Sequence, residues 1–316
     1  MRLQQLCSIS TLLLVAAGCT EQRQETPKKP EPPPQVRILA GGDVMLSRHV
    51  YRIATAQNDP AWPFRKIAPA MSGADIAFVN LEAPFSDRGK QPPLSTMIFK
   101  TAPEMIAGLE LAGIDVVSTA NNHSRDCGPY GVSYTYDLLT QHGIAVAGSG
   151  LDKATAHSGT VLERKGTRFG FLAFTYDQLN GNYKTDDDRI AGFDVAQMQL
   201  DVKALKQRAD VVIVSMHAGV EYAPTPHPMQ IDFAHAAIDA GAAVVLGHHP
   251  HVRQPVEQYH DGVIFYSLGN FIFDQFHRPE TEKSYLAEIV FTSGKRHSFR
   301  TIDLQLEASV PHVVTK

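Results

Sequence analysis

Cysteine is scarce in this sequence, and its scarcity excludes a disulfide-stabilised fold. The chain has three cysteines in 316 residues. Cys7 and Cys19 lie near the N-terminus and Cys127 is isolated in the rest of the chain, so no disulfide can form within that larger part. A thiol without a neighbouring cysteine is more typical of a half-buried small residue than of a reactive one.

A concentration of positive charge is also missing. The chain has 29 Lys and Arg against 33 Asp and Glu, a net charge of −4, and the two signs are interspersed. Nucleic-acid-binding proteins carry a basic patch or stripe. The composition therefore predicts no nucleic-acid partner.

Near the N-terminus, the apolar segment is too short to span a bilayer as a permanent helix. Residues 12–17 follow the basic Arg2 and lead through small residues to Cys19, which is typical of an export signal. The stretch resembles the bacterial lipobox, although leucine is commoner than Ala16 at its position. We predict a lipoprotein-type signal peptide over 1–18 and an exported protein, lipid-anchored to a bacterial membrane of the cell envelope through Cys19. A cleaved signal peptide with an incidental cysteine is the alternative.

Residues 19–35 are proline-rich and have no apolar periodicity. Such a segment cannot bury enough apolar surface to fold alone. An extended tether of this length, at roughly 3.1 Å per residue, would hold a domain about 40–50 Å from the membrane. The remaining residues, 36–316, are enough for one large α/β domain with a substantial core.

Apolar runs alternate with amphipathic stretches along this domain, and the alternation predicts a sheet covered by helices on both faces. Alternating polar and apolar residues over 161–174 and 285–306 predict hairpins, so we expect a mixed, two-layered sheet. The predicted strands cover 36–41, 76–80, 115–119, 211–215, 243–247 and 264–267, and the predicted helices cover 102–112, 130–142, 194–208 and 229–240.

Six polar clusters directly follow apolar runs of this kind. Because the carboxyl ends of strands in an open α/β sheet line one crevice, we expect these clusters to converge. They are GGDVML with Asp43, VNLE with Asn80 and Glu82, ANNH with Asn121, Asn122 and His123, MHAGVEY with His217 and Glu221, GHHPH with His248, His249 and His251, and SLGNFIFD with Asn270.

The acidic members are candidate metal ligands. Two glycines before Asp43 allow close backbone approach to a ligand, although a strand-terminal Asp is also often a turn or helix cap. In an extended segment Asn80 and Glu82 point to the same side. Glu82 is then either a metal carboxylate or a solvated charge at a strand exit.

Histidines provide the strongest local signal. His249 and His251 share a side if their segment is extended, and the intervening proline stiffens the pair, which suits a metal; a His-rich surface turn is the alternative. His217 follows a buried run and is either a core histidine or a ligand. Glu221, four residues later, could orient it.

The ANNH cluster favours function over simple capping. An asparagine can supply an oxygen ligand or cap the next helix, but capping does not explain all three polar residues. His123 could be a ligand or a general acid. Asn270, after another apolar run, could contact substrate or brace its loop.

In their order and separation, GGDVMLSR, FVNLE, ANNHSRDCG, MHAGVEY, GHHPHVRQPVE and IFYSLGNFIFDQ resemble the bacterial capsule synthesis protein CapA family, also called the poly-γ-glutamate biosynthesis CapA-like family. The resemblance covers residue 36 to about 274. That family is related to calcineurin-like metallophosphoesterases, which implies an α/β/β/α sandwich with mixed sheets and a metal centre at the strand ends.

The resemblance also implies roles for particular residues. His123 is the expected catalytic residue beside the substrate. From their positions in or beside the motifs, and not from the resemblance, we also expect Asn121, Asn270 and Arg48 to bind substrate, and Asn80, Glu221 and His248 to support the ligands. The implied metal ligands are Asp43, Glu82, Asn122, His217, His249 and His251.

This chain departs from the metallophosphoesterase pattern at three positions. Those enzymes usually begin Asp-x-His, whereas Met45 stands in the histidine position here. Glu82 stands where an aspartate bridges the metals, and Ser124 where an acidic residue is common. These departures bear on phosphatase activity, and leave one metal or two weakly held metals open.

Nitrogen and oxygen ligands without thiolate suit a divalent Mn, Zn, Fe or Mg ion. We therefore expect a membrane-anchored CapA-like protein for capsule or poly-γ-glutamate synthesis or processing, acting as a metal-dependent hydrolase or transferase. The alternative is a non-catalytic accessory subunit that binds the polymer. Expected partners are an anionic surface polymer such as poly-γ-glutamate, a membrane synthase complex, and the membrane through the lipid anchor. Arg48, Arg125 and Arg253 lie beside the motifs and could pair with carboxylate or phosphate.

Overall fold

A computed structural model describes residues 33–175, 187–293 and 296–314 of the chain. The compact unit that holds the polar clusters begins at Pro33. The predicted signal peptide, Cys19 and most of the tether lie outside the described residues. No helix in the described ranges is both long and apolar enough to cross a membrane.

The described chain alternates strands and helices, with two-stranded and three-stranded antiparallel additions. The strands are β1 (Gln35–Val44), β2 (Ile76–Leu81), β3 (Val116–Ser118), β4 (Ala145–Ala147), β5 (Thr160–Arg164), β6 (Thr167–Thr175), β7 (Val211–His217), β8 (Val244–His248), β9 (Val256–Tyr259), β10 (Gly262–Phe265), β11 (Asn270–Ile272), β12 (Lys283–Thr292), β13 (Arg296–Glu307) and β14 (Val310–Val313). The α-helices are α1 (Arg48–Ala56), α2 (Ala68–Met71), α3 (Ile106–Leu111), α4 (Gly128–Gln141), α5 (Lys153–Ser158), α6 (Val195–Leu205) and α7 (Pro228–Ala240). Short 3-10 helices cover Trp62–Phe64, Pro103–Met105 and Pro279–Glu282.

Two mixed sheets form the centre of the fold. The eight-stranded sheet has the order β14-β13-β12-β1-β2-β3-β4, with β11 also pairing with β1. In it, β1 to β4 are parallel and β12 to β14 are antiparallel additions. The six-stranded sheet has the order β5-β6-β7-β8-β10-β9, with an antiparallel strand at each edge. The predicted hairpins over 161–174 and 285–306 correspond to β5-β6 and β12-β13.

The two sheets pack face to face because side chains alternate along each strand. On β1, Ile38 belongs to the apolar cluster between the sheets, whereas Leu39 belongs to the cluster on the outer face. Phe78 of β2 stacks on Phe171 of β6 with their ring centroids 6.0 Å apart. A fully buried phenylalanine contributes about 1.5–3 kcal/mol through removal from water.

Helices cover both outer faces. Residues of α1 to α4, such as Leu109 and Leu139, pack against the eight-stranded sheet. Residues of α5 to α7, such as Val202 and Phe233, pack against the six-stranded sheet. The result is the α/β/β/α sandwich that the family resemblance implied.

A close backbone approach at Gly42 fixes the end of β1. The register of β1 against β2 shifts between Ala40 and Asp43. A Cβ atom added to Gly42 would lie 1.7 Å from the carbonyl oxygen of Gly269, so glycine is required there. This approach lets β11 pair with the end of β1 and brings Asn270 opposite Asp43.

Candidate metal centre

Five of the six polar clusters lie at or just after the carboxyl ends of strands in both sheets, and the sixth begins with Asn270, the first residue of β11. In the eight-stranded sheet, Asp43 on β1 is in register with Asn80 on β2, and Glu82 is the first residue after β2. In the six-stranded sheet, His217 at the end of β7 is in register with His248 at the end of β8. The first sheet therefore supplies carboxylates and amides, and the second supplies imidazoles.

Asp43 is fully buried and is held by both sheets. Its Oδ1 accepts a hydrogen bond from Asn80 Nδ2 at 2.8 Å and lies 3.3 Å from His248 Nδ1. Its Oδ2 accepts from the backbone N–H of His249 at 3.2 Å and lies 3.2 Å from His251 Nδ1. Burial alone would raise the pKa of Asp43, but the contacts with His248 and His251 bring it well below its usual value.

Glu82 is as deeply buried as Asp43, but its carboxylate has fewer hydrogen bonds. Its Oε1 lies 3.9 Å from His217 Nε2 and 3.7 Å from His251 Nε2, and it has no hydrogen-bond partner among the described residues. Burial, reinforced by the nearby charge of Asp43, raises the pKa of Glu82 well above its ordinary value. A cation at this position would remove both penalties.

His217 lies between two amide side chains. Its Nδ1 is 3.2 Å from Asn80 Nδ2, and its Nε2 is 2.8 Å from Asn122 Oδ1. Burial, together with the neighbouring His249, lowers the pKa of His217 well below its ordinary value. A neutral imidazole is the form that binds a metal.

The GHHPH segment turns sharply and presents two imidazoles. His249 and His251 have φ angles of 95° and 59°, in the left-handed region rather than the extended conformation expected from the sequence. Asn270 Oδ1 accepts from His251 Nδ1 at 3.0 Å, while Asn270 Nδ2 donates to the backbone carbonyl of Thr281 at 3.1 Å. This orientation leaves the Nε2 lone pair of His251 facing Glu82.

Unsatisfied polar atoms within this cluster match the needs of a divalent cation. Two triads, one of Glu82, His249 and His251 and one of Asp43, Glu82 and His217, each offer ligand atoms within 4.8 Å of one another. Among the described residues neither ring nitrogen of His249 has a hydrogen-bond partner, and burial lowers its pKa to about 3. Buried polar atoms normally have hydrogen-bond partners. Several buried ligand atoms that lack such partners and lie close together therefore indicate a metal site. The residues present fit a divalent ion.

His123 lies next to this cluster and is held in one orientation. Its Nδ1 donates to Asp126 Oδ2 at 2.7 Å, which leaves Nε2 as the proton-exchanging atom. Its ring stacks on Phe99 with the centroids 3.8 Å apart. Phe99 also donates its backbone N–H to the same Asp126 oxygen at 2.6 Å.

The sequence reasoning missed Asp126 and Phe99. Asp126 is three residues after His123, a spacing that could have marked it as a partner, since the two side chains meet on a tight turn. Phe99 comes from a loop without periodicity, and no local pattern connects it to His123.

Arg48 lies at the edge of the site, at the start of α1. Its guanidinium forms an ion pair with Asp274, and its Cζ is 4.7 Å from the centroid of the Phe99 ring. Arg48 and His123 therefore both contact Phe99. Asn121, the other expected substrate residue in the ANNH motif, donates from Nδ2 to the backbone carbonyl of Leu81 at 2.8 Å and so braces the end of β2.

Two residues do not take the places that the metallophosphoesterase pattern or the spacing indicated. Glu221, expected to orient His217, is exposed, and the ring nitrogens of His217 lie beside Asn80 and Asn122 instead. Met45 is buried in the apolar cluster on the outer face of the eight-stranded sheet, where its sulfur accepts from Ser47 Oγ at 3.0 Å. The position that is histidine in metallophosphoesterases therefore adds no ligand here.

Solved structures share this fold at low sequence identity. A hypothetical protein from Thermus thermophilus matches 84% of this chain and 99% of its own length, with a TM-score of 0.51 and 19% identity. NAD nucleotidase from Haemophilus influenzae matches 90% of this chain, also with a TM-score of 0.51 and with 12% identity. The chain spans about half of that enzyme, 54% of its length. These likenesses confirm the predicted metallophosphoesterase-like fold class.

Sequence relatives cover most of the chain. The capsule biosynthesis protein CapA of Bacillus anthracis is 29% identical over 97% of this chain and 76% of its own length. The PGA biosynthesis protein CapA of Bacillus subtilis (strain 168) is 29% identical over 87% of this chain and 73% of its own length. The profile of the family described as bacterial capsule synthesis protein PGA_cap matches residues 37–275, which contain all six polar clusters. The chain therefore belongs to the bacterial capsule synthesis protein PGA_cap family, as the resemblance in its motifs implied.

Proposed function

We propose that this protein acts in the synthesis or processing of an anionic capsule polymer such as poly-γ-glutamate, as a metal-dependent hydrolase or transferase. Family membership supports the capsule-related role. The observation that carries the chemistry is the pair of buried triads sharing Glu82, with unsatisfied atoms on Glu82 and His249.

A divalent cation held by the triads and Asn122 would supply positive charge that polarises the bond to be broken and lowers the pKa of an attacking water. The residues of this chain have separate tasks around it. Asp43 and Glu82 provide the negative charge that balances the ion. Asn80, which contacts Asp43, Glu82 and His217, fixes their spacing.

His123 is the candidate general acid. Because Asp126 accepts its Nδ1–H, a proton on Nε2 can pass to a leaving group, and the Asp126 carboxylate stabilises the charged imidazole. General acid catalysis of this kind contributes about 10²–10⁴-fold to a rate. The guanidinium of Arg48, which lies over the Phe99 ring and pairs with Asp274, would offset charge that develops on the substrate.

Turnover tests this proposal directly. The purified protein with Mn²⁺ is expected to hydrolyse a generic aryl phosphate or to shorten or transfer poly-γ-glutamate. Substituting His123→Asn should lower the rate by about 10²-fold or more while leaving Mn²⁺ binding in place. Activity that survives both this change and Glu82→Gln would contradict the proposal.

One observation favours a second function, that of a non-catalytic subunit that binds the polymer. Met45 lies in an apolar cluster, so the half of the site supplied by the eight-stranded sheet lacks the imidazole that two-metal phosphoesterases carry. A relative from Mycobacterium tuberculosis, 26% identical, is named a probable polyglutamine synthesis accessory protein. Metal-dependent binding of poly-γ-glutamate without turnover would support this function over the first.

We further propose that the protein is exported and held at a bacterial membrane by lipid on Cys19, near a membrane synthase. Metabolic labelling with a palmitate analogue should mark the wild-type protein, and Cys19→Ser should abolish the label and release the protein from the membrane fraction. Retention of label by the variant would contradict the anchor.

A further inference from the structure

Next to the metal centre is a cavity of about 500 Å³ whose wall begins one residue beyond His251. Its lining includes Tyr222, Val252, Arg253, Arg278, Glu280 and Lys283. None of the candidate metal ligands lines it, so the cavity is adjacent to the centre rather than part of it. Its volume is within the ordinary range for small-molecule sites, roughly 300–1,000 Å³.

The wall shared by the cavity and the centre is Tyr222. Its backbone N–H donates to the carbonyl of Pro250 at 2.8 Å, and its ring centroid is 6.3 Å from that of His251. Its hydroxyl accepts from Gln275 Nε2 at 3.2 Å, and Gln275 Oε1 accepts from Asn270 Nδ2 at 3.0 Å. Because Asn270 also orients His251, one hydrogen-bond chain fixes the cavity wall and a metal ligand together.

The charge of the cavity favours an anion. Three of its lining residues are cationic and one, Glu280, is acidic. The guanidinium of Arg278 lies over the Tyr222 ring, with its Cζ 4.3 Å from the centroid. In the described part of the chain, neither Arg278 nor Lys283 has a carboxylate within ion-pair distance. A guanidinium held over an aromatic ring keeps N–H donors for another partner, and its fork matches the geometry of a carboxylate.

Arg253 is the third cationic residue that lines the cavity. Its Nη1 pairs with Asp303 at 3.0 Å, which fixes the side chain. Its Nε is buried and has no hydrogen-bond partner among the described residues. A buried donor without a partner is costly unless a ligand satisfies it.

We propose that this cavity, which we call the Arg278 pocket, binds a carboxylate-bearing unit of the polymer that flanks the unit held at the metal centre. The assignment rests on the proposed function, since it takes the occupant to be the next unit of the same chain. The pocket would then hold the polymer in register and make binding stronger as the polymer lengthens past the metal centre.

Equilibrium titration of the full chain, loaded with Mn²⁺, with γ-linked glutamate oligomers of increasing length tests the pocket. Affinity should rise with length in the wild type. The double variant Arg278→Gln/Lys283→Gln should bind the longer oligomers about tenfold or more weakly, because charge-assisted hydrogen bonds are lost. Both side chains are exposed, and an unchanged thermal midpoint verifies the fold.

The matched control is Lys206→Gln/Arg208→Gln, which removes the same two types of charge from exposed positions just before β7, at the opposite end of the sheet. It should bind the oligomers within about twofold of the wild type, since one distant pair of charges is screened by salt. Equal losses in both double variants would show a general charge effect and overturn the pocket. Wild-type affinity in the Arg278→Gln/Lys283→Gln variant would overturn it as well.

A second titration of the same variants with inorganic polyphosphate tests whether the pocket prefers carboxylate to phosphate. A loss for γ-glutamate oligomers that exceeds the loss for polyphosphate supports a carboxylate site, whereas equal losses overturn that assignment. Turnover measured on the same samples separates the two proposals. If the protein shows no turnover but its binding depends on the Arg278 pocket, the enzymatic function is overturned and the pocket is supported. If the protein shows turnover but its binding does not depend on the pocket, the pocket is overturned and the enzymatic function is supported.

Discussion

The two sheets make chemically different contributions to one site. The eight-stranded sheet ends in Asp43, Glu82 and Asn122, and the six-stranded sheet and its following loop end in His217, His249 and His251. Each half alone has a defect: the carboxylates repel one another, and the imidazoles are buried, with both ring nitrogens of His249 lacking a hydrogen-bond partner among the described residues. A cation between the halves removes both defects, which explains why neither half resembles an ordinary buried polar group.

Substitution of Gly42, which lets the end of β1 approach the backbone of Gly269, should give the largest loss of stability. Gly42→Ala places a Cβ atom 1.7 Å from a backbone carbonyl that cannot move without displacing β11, so we expect a loss of about 3 kcal/mol or more in the free energy of unfolding. Urea denaturation measures it. Gly192→Ala, where an added Cβ has no heavy atom within 4 Å, is the control and should change stability by less than about 0.5 kcal/mol. Similar values for the two variants would refute the close approach.

Glu82 should contribute more to metal binding than His249 does. Glu82 belongs to both triads, whereas His249 belongs to one. We expect Glu82→Gln to weaken Mn²⁺ binding by about 100-fold or more, and His249→Asn by roughly tenfold, with calorimetry as the measurement. The reverse order would mean that the imidazole half, not the carboxylate half, holds the ion.

Asn80 contacts residues of both halves, and its removal should weaken metal binding less than the removal of Glu82 does. It donates to Asp43 at 2.8 Å and contacts His217 at 3.2 Å, so Asn80→Ala should lower metal affinity by about 10–100-fold. Glu221→Gln, at an exposed position, serves as the comparison and should change the affinity by less than about twofold. A large effect of Glu221→Gln would restore the orienting role that its spacing from His217 suggested.

Two buried glutamates, Glu288 in β12 and Glu82 just after β2, have pKa values shifted in opposite directions, and this contrast gives the smallest expected effect. The ion pair with Arg300, opposed by burial and reinforced by Arg37, lowers the pKa of Glu288, whereas burial raises the pKa of Glu82. A lowered folded pKa gives stability that is fully present above the unfolded pKa of about 4.3 and is lost as the pH falls through the lowered folded pKa. Glu288→Gln should therefore cost about 1 kcal/mol at pH 7, because Arg300 is solvent-exposed, and progressively less as the pH falls towards 3.

Glu82→Gln should behave in the opposite way in metal-free protein. A raised folded pKa means that the ionised carboxylate is penalised at pH 7, so the amide should increase the thermal midpoint there and lose this advantage at low pH. Thermal scans of both variants in chelator at pH 7 and pH 3 measure the contrast. A destabilised metal-free Glu82→Gln protein would show that Glu82 has a partner in solution.

Much of the fold could be predicted from local pattern. The apolar runs that became β2, β7 and β8 and the amphipathic stretches that became α4, α6 and α7 are long and strongly periodic. The short strands β4, β9, β11 and β14 were not predicted, because three or four residues carry little periodic signal and pair only when the sheet is already formed. Helix α1 was missed as well, since it follows a functional motif rather than a loop.

Local sequence alone determined the chemical types at the site. Polar residues directly after buried strands, and three imidazoles within GHHPH, sufficed to name Asp43, Glu82 and His249 as candidates. Only the tertiary structure decided which atoms meet: that Asn80 spans three ligands, that Asp126 and Phe99 fix His123, and that Glu221 faces solvent. The reason is physical, since strand order and a close glycine contact set the distances between side chains that are up to about 200 residues apart, and no local pattern encodes those distances.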